Sequence, residues 1–187
     1  AMTNLMVAPT GSLALGAGVV LKFASSAAIQ VDGELRALGP VILTSFYDDL
    51  YGGDTNGDGN ATAAAPMQWA GMRILSTARG ALDGALIRCT GAAFWSALEL
   101  SSPSFALHRT RIELTGFDGF AIGAAAAAED LVAYRCGRSG FVLSGGNVAV
   151  QRSTSAANGN AGFLRTSGAG SRVASSIASW NGGGGFV

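Results

Sequence analysis

Short segments of alternating apolar and polar residues recur along the chain, and this pattern predicts β-strands. Alternation with a period of two is typical of strands that bury one face, and dipeptides such as Asp32-Gly33 and Gly39-Pro40 favour turns between them. The pattern breaks at residues 48–66. The strand candidates before and after that break are residues 19–23, 28–31, 33–38, 41–46, 69–75, 85–88 and 105–108.

A Gly-Phe step recurs in the second half of the chain with spacings of 21, 22 and 23 residues. Its four copies are Gly119-Phe120, Gly140-Phe141, Gly162-Phe163 and Gly185-Phe186. A repeat of this length is typical of a solenoid, and so much glycine and serine disfavours a helical repeat. We therefore predict an all-β fold, a parallel β-helix with one turn of the coil per 21–23 residues.

Equivalent positions in such a coil stack into columns, and four Arg-x pairs follow apolar runs at comparable places. We expect Cys89, Thr110, Cys136 and Ser153 to form an inward column, and Arg88, Arg109, Arg135 and Arg152 an outward one. Stacked guanidinium groups repel one another, so the outward column is predicted to be a solvated face. An anion-binding face is the alternative.

The two cysteines are separated by 47 residues, which is about two turns of the predicted coil. Stacked strands lie roughly 4.8 Å apart, so two turns separate the residues by roughly 9–10 Å. A disulfide requires Cα atoms within about 7 Å. We therefore expect two free, buried thiols.

Composition supports one domain over residues 1–187. Hydrophobic residues make up 49% and charged residues 13% of the chain, the opposite of the balance that produces disorder. A net charge of zero provides no field that would attract nucleic acid. No run of 18 apolar residues exists, so no membrane insertion is expected. Because residues 185–187 start another repeat, we expect a piece of a longer solenoid, with possible end-to-end self-association.

The break at residues 48–66 contains the strongest chemical motif, an acidic, glycine-rich insertion. Its core, Asp54-x-Asn56-x-Asp58-Gly59, matches the first half of an EF-hand loop. Alternate side chains of such a turn converge their oxygens on one point, and hard oxygen ligands select calcium. The predicted calcium ligands are Asp48, Asp49, Asp54, Asn56, Asp58 and Asn60.

The insertion departs from a complete EF-hand, because Ala65 stands where the bidentate glutamate belongs. Asp48 and Asp49, just before Gly52-Gly53, are the candidates to replace that carboxylate. The alternative is a solvated acidic turn without metal, since Asp, Asn and Gly all favour turns. We expect a structural calcium ion that holds the insertion in place.

The strand segments, the Gly-Phe steps and the acidic loop together resemble the right-handed parallel β-helices of the pectin-lyase-like superfamily, in a bacterial secreted or surface form. The loop itself is similar to the calcium loops of dockerins and thrombospondin type 3 repeats. The resemblance implies an elongated, extracellular or cell-surface scaffold associated with calcium. A fold does not determine a function, and the superfamily includes polysaccharide lyases and hydrolases, tailspikes and adhesins.

We interpret the chain as a scaffold or adhesion module without catalysis, with a glycan or cell-surface component as a possible partner. The alternative is a polysaccharide lyase or hydrolase, or a carbohydrate-binding segment of one. A lyase would use the loop acids with Arg73 or Lys22 as base, as the resemblance implies. A hydrolase needs two carboxylates about 5–9.5 Å apart, and no motif marks such a pair. The single histidine, His108, has no nucleophile placed beside it by any motif.

Overall fold

The computed structural model describes residues 2–59, 61–94, 96–125 and 127–187. Within these ranges all regular secondary structure is β, so the described part of the chain has no helix that could cross a membrane. The strands are β1 (Leu5–Val7), β2 (Ser12–Leu15), β3 (Val20–Phe23), β4 (Ala28–Val31), β5 (Glu34–Ser45), β6 (Gly71–Ile74), β7 (Arg79–Arg88), β8 (Ser96–Leu100), β9 (Phe105–His108), β10 (Arg111–Thr115), β11 (Asp118–Ile122), β12 (Ala127–Glu129), β13 (Val132–Cys136), β14 (Phe141–Leu143), β15 (Ala149–Gln151), β16 (Thr154–Ala156), β17 (Phe163–Arg165), β18 (Arg172–Ala174) and β19 (Ile177–Ser179).

The strands stack in parallel into a solenoid of about seven turns, which confirms the predicted fold class. Each turn contributes to three faces. Face one is β1-β4-β6-β8-β11-β14-β17, face two starts with β2 and ends with β18, and face three starts with β3 and ends with β19. The long strands β5 and β7 bend and belong to both face two and face three.

Each face buries every second residue, as the alternation predicted. On face one the inward column contains Ile29, Met72, Leu98, Phe120, Phe141 and Phe163, each at most 2% exposed. The phenylalanines of the Gly-Phe steps stack in this column. Their ring centroids lie 4.8, 4.6 and 5.0 Å apart from Phe120 through Phe186, with nearly parallel planes.

The bends beside face three use residues in the left-handed conformation, repeated from turn to turn. Between faces two and three the repeated residues are Gly84, Arg109, Asp130, Arg152 and Ser175. At the end of face three they are Cys89, Leu114, Arg135, Ala157 and Trp180. A left-handed residue turns the chain sharply, so the five turns from β7 onwards bend at the same two places.

The predicted outward column of four arginines is wrong. Arg109 and Arg152 occupy one bend with Asp130 between them, whereas Arg135 occupies the other bend. Arg88 lies on face three, is 7% exposed and pairs in register with Glu113. The four arginines are separated by 21, 26 and 17 residues. These unequal spacings arise because the arginines lie at or before two different bends and do not form one column.

The cysteine prediction is confirmed. Cys89 and Cys136 are both free and buried. Burial raises the pKa of both thiols above the ordinary value, because the thiolate would lose its hydration inside the coil. Thr110 and Ser153 are buried as expected, but they lie beside the other bend, so the four residues do not form one column.

The glycines of the first three Gly-Phe steps are required by the closeness of the next turn. A Cβ atom added to Gly119 would lie 2.6 Å from the carbonyl oxygen of Gly140 and 3.0 Å from Sγ of Cys136. We predict that Gly119→Ala lowers the free energy of unfolding by about 1–3 kcal/mol, because backbone of the next turn cannot yield. Urea denaturation measures this loss. Gly146→Ala, where a Cβ meets nothing within 4 Å, is the matched control, and equal losses in both variants would contradict the explanation.

Candidate metal site

The acidic insertion leaves the solenoid after β5 and returns to it before β6. Its first part lies against the outer side of face three. Lys22 Nζ donates a 2.5 Å hydrogen bond to the carbonyl oxygen of Gly53, and Cζ of Arg88 lies 5.1 Å from the ring centroid of Tyr51. Both basic side chains belong to face three and are mostly buried. The base of the insertion is therefore held by two cations of the solenoid wall.

Asp48 fixes this base and lies apart from the acids further along. Its carboxylate is fully buried, where Oδ2 accepts a 2.6 Å hydrogen bond from Thr44 Oγ1 and Oδ1 accepts one from the Leu50 backbone N–H. Nε of Arg88 lies 3.4 Å from Oδ2 of Asp48 and 3.5 Å from Oε1 of Glu113. The structure thus gives Asp48, a predicted calcium ligand, the role of a buried anchor.

Asp54 organises the turn of the loop. Its Oδ1 accepts hydrogen bonds from the backbone N–H groups of Gly57 (2.7 Å) and Asp58 (3.3 Å), and its Oδ2 accepts one from Gly59 (2.8 Å). These bonds, that of Gly59 foremost, lower the pKa of Asp54 below its ordinary value. Gly57 and Gly59 both have positive φ angles, which the loop requires for its tight path. The carboxylate is therefore held in place and stays ionised.

Three carboxylates converge in the insertion. Asp49, Asp54 and Asp58 each place one oxygen within 4.8 Å of the others. Asn56 lies beside them, because its Nδ2 donates a 2.8 Å hydrogen bond to Oδ2 of Asp58. Two of the acids come from the predicted motif, and the third is Asp49, one of the two acids that precede Gly52-Gly53.

Buried oxygens without partners show that these residues fit a cation. Oδ1 of Asp49, Oδ1 of Asn56 and Oδ1 of Asp58 are each buried without a hydrogen-bond donor. Leaving a buried polar atom unpaired costs about 1–3 kcal/mol, and more for a charged group. A calcium ion is bound by carboxylate and amide oxygens of this kind. The donor set therefore fits a hard divalent cation.

The loop contains one participant that the sequence analysis missed and one that the structure leaves undescribed. Thr62 Oγ1 donates a 2.5 Å hydrogen bond to Oδ2 of Asp58 and accepts one from Nδ2 of Asn56. Its spacing from Asp58, four residues further along the chain, was the only signal for this contact. The predicted ligand Asn60 lies outside the described residues.

The candidates for catalysis are placed as follows. Lys22 donates its hydrogen bond to the Gly53 carbonyl oxygen of the insertion. Arg73 forms an ion pair with Glu99 at 2.7 Å on face one. His108 lies on face two between Asp83 and Glu129, its Cα partners on the neighbouring turns. The two carboxylates are paired with guanidinium groups, Asp83 with Arg109 at 2.5 Å and Glu129 with Arg152 at 2.6 Å. Both carboxylates beside His108 are therefore already engaged by arginines.

Comparisons of the chain with models of known protein families, with curated proteins and with solved structures found no match. The fold and the acidic loop are therefore interpreted from the contacts of this chain alone. What these contacts have in common is a rigid wall, an insertion anchored to that wall, and three carboxylates converging within the insertion.

Proposed function

We propose that this chain is a calcium-stabilised β-solenoid that acts as a scaffold or adhesion module outside the cell or at its surface, without catalysis. The observation that carries the proposal is the convergence of the carboxylates of Asp49, Asp54 and Asp58, two of which, Asp49 and Asp58, have a buried oxygen without a hydrogen-bond donor. Asn56, bonded to Asp58 through Nδ2, has a further buried oxygen without a donor, Oδ1. Calcium supplies positive charge to those oxygens and closes the insertion upon itself.

The finer assignment belongs to the same proposal. A right-handed coil, membership of the pectin-lyase-like superfamily, a bacterial origin and a dockerin-like loop are what the sequence resemblance implies. Right-handed crossovers are the general rule for parallel β-structure, which supports the hand of the coil. The fold alone is compatible with enzymes and with scaffolds, so the function has to be argued from the sites.

A mechanical role is supported by how the wall is built. Every turn is bonded to its neighbours by parallel strands on three faces, and the described residues place an uninterrupted apolar column through the coil. The carboxylates of Asp83 and Glu129, the one acidic pair that flanks His108, are both held by arginines. Polysaccharide cleavage therefore remains the second candidate, and release of unsaturated or reducing sugar products would favour it over the scaffold.

Self-association through the ends of the coil is a further part of the proposal. On the last described turn, Ile177, Trp180 and Phe186 are 61%, 89% and 58% exposed. Phe186 stacks on Phe163 with one ring face and leaves the other free of ring contacts in the described part of the chain. A further parallel turn, from another copy or from other chain segments, would bury these side chains.

Calcium is predicted to raise the melting temperature. At about 100 times its dissociation constant, an ion that binds only the folded state stabilises it by about 2.7 kcal/mol, or roughly 5–10 °C for a domain of this size. The measurement is a thermal melt of the chelator-treated protein with added calcium, and with magnesium in parallel. Magnesium is expected to give a smaller shift, because it demands near-ideal octahedral geometry.

A matched pair of variants assigns the shift to the loop. Asp58→Asn removes a carboxylate of the cluster and is expected to abolish most of the calcium effect. Asp130→Asn makes the same change at an exposed ion pair with Arg152 and should leave the calcium effect intact. A calcium shift that survives Asp58→Asn, or no shift in the parent protein, would refute calcium binding by the insertion.

A further inference from the structure

A groove on the outer side of face one has no role in the fold or in the metal site. It has a volume of about 280 Å³ and crosses β1, β4 and β6. The residues that give it its chemistry are Asn4, Met6, Ala28, Gln30, Arg73 and Phe94. The groove lies on the side wall of the coil, on a different face from the insertion at residues 48–66.

The floor of the groove is a row of outward side chains in register. Met6 pairs with Gln30, and Gln30 pairs with Arg73, on successive turns. Three turns span roughly 10 Å along the axis at the usual strand spacing. The small side chain of Ala28 leaves space beside this row, and Phe94 forms part of the wall of the groove. The shape suits a linear ligand lying along the axis of the solenoid.

The polar groups of the groove are directed outward and only partly used. Oδ1 of Asn4 accepts a 3.0 Å hydrogen bond from the backbone N–H of Ala28, which leaves the amide N–H₂ group of Asn4 as a donor. The side chain of Gln30 makes no hydrogen bond to any described residue and offers both a donor and an acceptor. Two amide side chains with spare capacity thus flank an apolar surface.

Charge in the groove is balanced and the one cation is held rigidly. Nε of Arg73 lies 2.7 Å from Oε2 of Glu99, and its Cζ lies 3.9 Å from the ring centroid of Phe94. The guanidinium group is oriented by both contacts and is 40% exposed, so its remaining N–H groups are accessible from the groove. Because the carboxylate of Glu99 compensates the charge of Arg73, the groove does not favour a polyanion.

An exposed apolar patch next to these amides completes the arrangement. Met6 is 68% exposed although it lies within a strand. Small-ligand sites combine apolar contact area with a few placed polar groups, and this groove has both in the same row. A purely apolar ligand would bury the amides of Asn4 and Gln30 without partners, which disfavours it.

We propose that this groove binds a short segment of an uncharged glycan, with C–H faces of the sugar against Met6 and hydroxyl groups bonded to Gln30, Asn4 and Arg73. The inference rests on the adhesive part of the proposed function and names the class of its partner. It is independent of calcium, because the groove and the acidic insertion share no residue.

Methyl NMR of ¹³C-methionine-labelled protein tests this directly, since Met6 and Met67 are both exposed and only Met6 lines the groove. The probes are cellobiose, maltose and N,N′-diacetylchitobiose, with digalacturonate as the charged comparison. At least one neutral disaccharide should shift the Met6 methyl signal with millimolar affinity and leave Met67 unchanged. Gln30→Ala should weaken that binding at least fivefold. Gln151→Ala, the same change on the outer side of face two, should not.

Three results would overturn the groove assignment. They are no shift of Met6 with any neutral disaccharide, a shift with digalacturonate only, and equal shifts of Met6 and Met67. Each leaves the calcium-dependent melting shift unaffected, so failure of the groove and failure of the metal site are distinguishable. A native melting temperature for Gln30→Ala shows that lost binding does not come from unfolding.

Discussion

Phe141→Ala is expected to lower the free energy of unfolding by about 3–5 kcal/mol, which is the usual cost of removing a buried aromatic ring. Phe141 is fully buried, and its ring is stacked between Phe120 at 4.8 Å and Phe163 at 4.6 Å. The cavity would lie in the middle of the column, where neighbouring turns are bonded on three faces and cannot collapse into it. This total includes the two lost ring pairs, each worth about 0.5–1.5 kcal/mol beyond the buried area.

Phe186→Ala is the matched control, because Phe186 belongs to the same column but is 58% exposed. Removal of the Phe186 ring should lower the free energy of unfolding far less than removal of the Phe141 ring. Urea denaturation followed by both tryptophan fluorescence and circular dichroism measures the two losses, and coincident transitions show that one unfolding event is observed. Similar losses for Phe141→Ala and Phe186→Ala would mean that the stack does not stabilise the coil as described.

The fold could be predicted because equivalent positions on successive turns of a parallel coil have the same structural requirements, so the same residue types recur at a nearly constant period. Gly119 recurs at Gly140 and Gly162 because the carbonyl oxygen of the next turn leaves no room for a side chain at that place. Within this repeat, one feature escaped the sequence analysis. Asn158 and Asn181 are 23 residues apart and form a ladder, in which Nδ2 of Asn158 donates a 2.8 Å hydrogen bond to Oδ1 of Asn181.

The arginines show why a constant period is insufficient to place a side chain. From β7 onwards each turn carries two bends with left-handed residues, so arginines that follow apolar runs fall at different bends. Arg88 precedes one bend and turns towards the insertion, whereas Arg109 occupies the other and pairs with Asp83. The pattern of apolar residues is the same before both bends, and it cannot distinguish them.

The metal cluster was predictable only in its local part. Asp54, Asn56 and Asp58 belong together because a tight turn brings alternate side chains to one side. Asp48 and Asp49 have different contacts because of the path that the insertion takes over face three, and no sequence periodicity describes that path. Although they are adjacent in sequence, Asp48 pairs with the buried Arg88, whereas Asp49 joins the carboxylate cluster.

Replacement of the buried Arg88 is the second change for which we expect a large loss of stability. Arg88→Met is expected to destabilise the protein by about 3–5 kcal/mol, the usual cost of breaking a buried ion pair from one side. Asp48 is fully buried and would lose its nearest cation, whereas Glu113 keeps its closer ion pair with Arg111 at 2.8 Å. The insertion would also lose the contact between Tyr51 and the guanidinium group. Chemical denaturation measures the loss.

Arg109→Met is the control, because Arg109 makes a 2.5 Å ion pair with Asp83 while its side chain is 68% exposed. Exposed pairs contribute about 0–1 kcal/mol, so the same substitution should have little effect there. A double-mutant cycle then separates charge from packing. If the buried carboxylate without its cation is the main penalty, Asp48→Asn should cost less in the Arg88→Met background than in the parent protein. Additive losses would show instead that Asp48 is held by Thr44 and the backbone of Leu50, and that Arg88 contributes through packing on Tyr51.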